Sequence, residues 1–148
     1  MHKVQGHLNI TKLFNDMLGD KVGDYLLPAP SYEMMQCEAL EYDPQKKSLV
    51  VKVAILKEFL NPYGTFQGGL ILGAIDNATG PLSMMIAPPN VTRNIESKLL
   101  KPITMDLEHI YVTATLFEEK KRRLIFDAVL KDKDETIYAK ARLTNWIL

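Results

Sequence analysis

Apolar positions in this chain follow two periods. Between residue 68 and about residue 85 they recur at Ile71, Ile75, Ala78, Leu82 and Met85. The steps of four, three, four and three residues trace one face of a helix. Pro81 lies inside this run and has no N–H for the carbonyl of Asn77, so a kink or a loosened last turn is expected, and Ala87-Pro88-Pro89-Asn90 ends the helix. After it the period drops to two. Residues 91–100 read as a strand that Lys101-Pro102 breaks. Residues 105–117 place Ile110, Val112, Ala114 and Leu116 on one face and His109, Tyr111, Thr113 and Thr115 on the other. Leu124, Phe126, Ala128 and Leu130 form the apolar face of the next strand. Residues 137–147 alternate Ile137, Ala139, Ala141 and Leu143 with Tyr138, Lys140, Arg142 and Thr144. Charged turns at 118–121 and 131–134 separate these strands.

The N-terminal half is less regular. Leu8, Leu13, Phe14, Met17 and Leu18 suit a short amphipathic helix ending at Gly19, and residues 22–31, with two prolines, form an irregular connection. Residues 32–42 read as a weak strand interrupted by Glu33, Glu38 and Glu41. After a turn at 43–47, SLVVKVAIL is apolar on both faces, which places it centrally or against a partner. The order of helix, two strands, long helix and four strands predicts a single α+β domain over 1–148. Residues 1–31 would be an N-terminal helix and connection, and 32–148 a core in which a curved antiparallel sheet of five or six strands wraps the long helix. The other face of such a sheet stays open, which favours dimerisation.

Composition narrows the function. The chain has 148 residues and is 47% apolar, enough for one sizeable core. Eighteen basic residues balance eighteen acidic ones, so bulk charge draws the protein to neither nucleic acid nor an anionic membrane. Near-zero net charge also does little to keep monomers apart. The single cysteine, Cys37, cannot close an internal disulfide, and no Cys/His spacing suits zinc. With no signal-like apolar core near the N-terminus and no apolar run of about eighteen residues, the expectation is a soluble cytoplasmic protein.

Chemistry concentrates in residues 61–76, NPYGTFQGGLILGAID, where a polar loop enters an apolar helix that carries one acid, Asp76. Gly69, Gly73 and Gly80 share its helical face, making a groove of small residues. An aspartate desolvated there would titrate high and be a stronger base than one in water; the alternative is a solvent-facing acid on a packing seam. Gly68 falls at the helix N-terminus, where free N–H groups and the helix dipole can hold a developing oxyanion, or where the glycine pair simply makes a tight turn.

The pattern Asn61-x-x-Gly64-x-x-Gln67-Gly68-Gly69 followed by Asp76-Asn77 resembles the signature of hotdog-fold acyl-CoA thioesterases of the phenylacetate and 4-hydroxybenzoyl-CoA type. The resemblance runs from about Tyr32 to the C-terminus. It implies a hotdog fold, a dimer or dimer of dimers with sheets joined edge to edge, and sites at the interface where the loop of one subunit faces the helix of the other. It implies an acyl-CoA substrate, no cofactor beyond the coenzyme A of that substrate, and no metal. Asp76 would be base or nucleophile, with Asn61 and the Gly68 N–H polarising the thioester carbonyl. Asn61 also suits plain turn chemistry. Asn94 matches a position where some relatives carry a water-orienting hydroxyl, and equally suits a solvated strand; Thr79 is a second candidate for that task. Gln67 stands where the family most often has histidine. The substrate would meet Gln67, Gly69, Gly73, Thr79, Tyr63, Phe66 and Met84, with Phe66 equally suited to the core. Arg93, Lys98, Lys101, Arg122 and Arg123 offer charge for coenzyme A phosphates, although 120–123 also reads as a solvated hairpin tip. Two other functions compete: an acyl-CoA binder without activity, and an enoyl-CoA hydratase or dehydratase. The latter pairs an acid with a histidine, and His2, His7 and His109 all lie outside the motif.

Overall fold

Side chains at every second position of a strand share a face, so four alternating strands can bury their apolar halves only against a common partner. In the computed structural model, which describes residues 4–148, that partner is helix α3 (Gly68–Ile86). A curved antiparallel sheet of seven strands packs on it. The strands are β1 (Val4–Leu8), β2 (Glu38–Asp43), β3 (Ser48–Ala54), β4 (Asn90–Leu99), β5 (His109–Lys120), β6 (Arg123–Lys131) and β7 (Ile137–Ile147). They lie in the order β1-β2-β3-β5-β6-β7-β4, which leaves β1 and β4 as edges.

All five residues of the helical stripe are buried, with Ala74 beside them. They face Leu49, Val51 and Val53 of β3, Ile110, Val112 and Ala114 of β5, Leu124, Phe126 and Leu130 of β6, and Ala139 and Leu143 of β7, all buried. Phe126 is the largest fully buried side chain and lies in register with Leu116 on one side and Leu143 on the other. Helix α3 continues through Pro81 to Ile86, so the proline removes one backbone donor without ending the helix.

The N-terminal part departs from the sequence reading. The sheet has seven strands, not five or six, because residues 4–8 pair with β2 (Val4↔Tyr42, Leu8↔Ala39). VQGHL carries no alternation that marks it as a strand, so its pairing is set by the tertiary fold. Helix α1 (Ile10–Leu18) begins where Asn9 accepts the Lys12 N–H at 2.9 Å through its side chain. Residues 30–34 form helix α2 (Pro30–Met34) and not strand: Pro30 occupies the first helical turn, where its missing N–H costs nothing. The outer face of β3 is only half-buried at Val50 and Lys52. The β5–β6 turn shrinks to Lys121-Arg122, with Lys121 at φ 57.

Two contacts fix α2 against α3. Asn77 Nδ2 donates to the Ser31 carbonyl at 3.1 Å, and Ser31 Oγ donates to Asn77 Oδ1 at 3.1 Å. Met35 fills the space over Gly73, where an added Cβ would stand 3.0 Å from its Cε. Among the described residues no helix is long and apolar enough to cross a membrane.

Candidate active site

The loop before α3 is organised by Asn61. Its Oδ1 accepts the N–H groups of Tyr63 (3.0 Å) and Thr65 (3.1 Å), and its Nδ2 donates to Thr65 Oγ1 at 2.8 Å. Gly64 completes the turn at φ 78, a left-handed conformation that glycine adopts without strain. Two backbone donors on Oδ1 fix which way the amide faces, so one Nδ2 hydrogen remains for another acceptor. At the start of α3 the N–H groups of Leu70 and Ile71 both reach the Gln67 carbonyl, at 2.9 and 3.0 Å. Those of Gly68 and Gly69 meet no acceptor among the described residues. Asn61 and Gly68 line one cavity of about 260 Å³ with Phe66, Ile71, Leu99 and Lys101.

Asp76 lies two turns further along α3, half-buried, and its Oδ1 accepts the Thr92 hydroxyl of β4 at 2.8 Å. Burial pushes its carboxyl above the usual aspartate range, and the Thr92 hydrogen bond pulls the other way. It lines a second cavity of about 260 Å³. That cavity is apolar on the side of α1 and the following loop (Ile10, Phe14, Leu27) and polar at Asp76, Thr92 and Asn145. Thr92 favours the ionised carboxylate, so Thr92→Val is expected to raise the titration midpoint of Asp76 further above the free amino acid's. Carbon NMR of the side-chain carboxyl reads this directly, and a midpoint that falls would contradict the assignment.

Thr92, and not Asn94, is the β4 side chain that reaches Asp76, and the reason is a β-bulge. Thr92 pairs with Asn145 and Asn94 with Thr144, so two steps on β4 match one on β7. The extra residue inverts the faces beyond it. Asn94 is therefore exposed, and its amide bonds Glu96 Oε1 at 3.3 Å. Thr79 is also corrected: it is fully buried, with its hydroxyl on the Ile75 carbonyl at 3.1 Å, and it lines neither cavity.

The remaining candidates divide. Gly80 opens onto the Asp76 cavity, Gly69 has open space, and Gly73 is covered by Met35, so the small-residue groove is interrupted midway. Phe66 is core, 5.7 Å from Phe59 ring to ring, although one edge reaches the Asn61 cavity. Tyr63 is 91% exposed and touches neither cavity. Gln67 caps α3 by position only, with no side-chain hydrogen bond to the helix. Arg93 stacks on Trp146, 5.3 Å from the ring centre, and Arg122 and Arg123 bond the Ile147 carbonyl and Glu118. Lys101 alone of the basic candidates borders either cavity. His7 bonds Glu38 at 2.6 Å, neither it nor His109 lines these cavities, and His2 lies outside the described residues.

No protein-family model matches the chain, and no curated protein does. Solved structures do. A proposed thioesterase of Ralstonia eutropha, related to phenylacetic acid degradation, aligns over 94% of this chain and 100% of its own, with a TM-score of 0.77 at 20% identity. The PaaI protein from the phenylacetic acid degradation operon of E. coli aligns over 82% and 86%, with a TM-score of 0.74 at 15% identity. A Streptococcus mutans protein bound to acetyl CoA aligns over 70% and 82%, with a TM-score of 0.65 at 21% identity. With seven strands around one long helix and these neighbours, the chain has the hotdog fold.

Proposed function

We propose that this protein hydrolyses an acyl-CoA thioester, in a dimer whose sites each draw on two copies of the chain. The observation that carries the reading is Asp76: a carboxylate drawn out of water and fixed by Thr92 beside a cavity with an apolar wall of Ile10, Phe14 and Leu27. Thioester hydrolysis needs a base or nucleophile of that kind beside a pocket for the acyl group. It also needs donors for the oxyanion, and the fixed Asn61 amide and free Gly68 N–H supply them. The acetyl CoA bound by the Streptococcus mutans neighbour supports this ligand class.

Within one chain the two halves do not meet. Gly68 and Asp76 are eight residues apart on one helix, about 12 Å at 1.5 Å per residue, and they line separate cavities. A reacting carbonyl must lie within about 3.5 Å of the attacking atom and about 3 Å from its donors. The Asn61–Gly68 half of one copy therefore faces the Asp76 half of another. The free edge of β4, with Leu99 half-exposed beside Gly68, offers the surface for pairing. Cys37 is no competing nucleophile, since burial pushes its thiol up to about 12. Against a hydratase reading, no histidine among the described residues lines the Asp76 cavity.

The test is complementation. Asp76→Asn and Asn61→Ala are each expected to release little thiol from a panel of aryl and aliphatic acyl-CoAs. After the two are unfolded together and refolded, mixed dimers hold one intact site each and activity returns. If the mixture stays as inactive as its components, the shared site is wrong.

A further inference from the structure

Strand β7 alternates Ala139, Ala141 and Leu143 toward α3, all buried, and the next inward position is Asn145, only 2% exposed. Its amide is locked. Asn90 Nδ2 donates to the Pro88 carbonyl at 2.8 Å, which turns Asn90 Oδ1 toward Asn145, and Asn145 Nδ2 donates to it at 2.9 Å. Asn145 Oδ1 must then face the opposite way, where it is buried and accepts nothing from any described residue. Buried acceptors left unpaired are rare in folded proteins, and each calls for an explanation.

The neighbours explain it. Thr92 is the register partner of Asn145 across the β4–β7 pair, but its one hydroxyl hydrogen goes to Asp76 Oδ1. Asp76, ionised, accepts only. Asp76 and Asn145 thus line one cavity, each with an acceptor that no described residue supplies with a hydrogen, and Thr92 touches both, bonded to the acid and paired in the sheet with Asn145. A small molecule with two hydrogens to give satisfies both: the rest of the lining is apolar at Ile10, Phe14 and Leu27, and Ser31, Asn77, Ser83 and Asn90 already donate elsewhere in the protein.

We propose that Asn145 is a positioning residue for the attacking water, which gives one hydrogen to the free oxygen of Asp76 and the other to Asn145 Oδ1. Its oxygen lone pair is then left for the acyl carbon. The inference rests on the thioesterase reading. In the step, a water proton passes to Asp76 as the water oxygen bonds to the acyl carbon. The carbon–sulfur bond then breaks, and the leaving thiolate takes the proton from Asp76. Thioester and water become acid and thiol with no net redox change, and Asp76 is restored.

The test uses whichever acyl-CoA of the panel is hydrolysed fastest. Asn145→Leu, similar in size but without the acceptor, is expected to lower kcat about 10- to 100-fold with KM within about twofold, as loss of orientation does. Added hydroxylamine reports the specific role: it attacks without needing Asn145, so the ratio of hydroxamate to acid should rise in Asn145→Leu. A merely structural residue would leave that ratio unchanged. Should Asn145→Leu fold poorly, Asn145→Thr, which suits a strand but falls short of the water, is expected to show the same two changes. An unaltered kcat and partition ratio in a folded variant overturns the inference while Asp76→Asn remains inactive. If Asp76→Asn is itself as active as the parent, the thioesterase reading falls and the water site with it.

Discussion

Asp76→Asn is expected to lower kcat/KM for acyl-CoA hydrolysis by about 10²- to 10⁴-fold, the usual contribution of a positioned base, while the protein stays folded. Asparagine keeps an oxygen to accept the Thr92 hydroxyl that now bonds Asp76 Oδ1, so the local geometry survives and only the ionisable group is lost. The sign of the stability effect follows from the raised pKa. A carboxyl that titrates higher in the folded state than in the unfolded one contributes stability below its unfolded pKa, about 3.9, and loses it as pH rises through the folded value. At pH 7 the parent therefore carries the disadvantage of a partly buried charge. The asparagine variant should be at least as stable there, and the gap should close in acid. Thiol release and thermal unfolding at pH 7 and pH 3.5 check both halves. Wild-type turnover by Asp76→Asn would remove Asp76 from the chemistry, and a marked loss of stability at pH 7 would recast it as structural.

The second large effect concerns the fold. Phe126→Ala is expected to destabilise the protein by about 3–5 kcal/mol, the cost of a lost aromatic side chain and the cavity it leaves. Phe126 is fully buried on β6, between Leu116 and Leu143, on the sheet face that packs on α3. Collapse around the gap is limited because its neighbours belong to strands held by ladders on both sides. For a chain of this length the loss corresponds to a drop in Tm of roughly 6–20 °C. Denaturant unfolding of both proteins at one matched concentration is the measurement, since association would add to apparent stability. A difference under about 1 kcal/mol would mean that this layer of the core repacks freely.

The extent to which the molecule could be read in advance follows the range of the signals. The stripe from Ile71 to Met85 is local, and every one of its members is buried on α3. The alternation of β5, β6 and β7 likewise names the residues that line the core, because a strand with one buried face must alternate whatever its neighbours are. The motif from Asn61 to Asp76 is also local, and the Asn61 turn forms among residues at most four apart. Even Asn145 was within reach: continuing the inward series of Ala139, Ala141 and Leu143 by two lands on it.

Other features depend on which segments meet. Residues 4–8 are a strand only because β2 offers an edge to pair with. The resemblance offered Asn94 as a neighbour of Asp76, but the bulge between Thr92 and Asn94 turns Asn94 outward and brings Thr92 to the acid. Alternation counts residues, and one unmatched residue inverts every side chain after it without leaving a mark in composition. By itself the sequence determined the helix, the buried faces of the C-terminal strands, and the residues from which chemistry could be drawn. Only the tertiary structure decided that Asp76 faces Thr92 and Asn145 across one cavity while Asn61 and Gly68 open onto another, because those neighbours are set by register between distant strands.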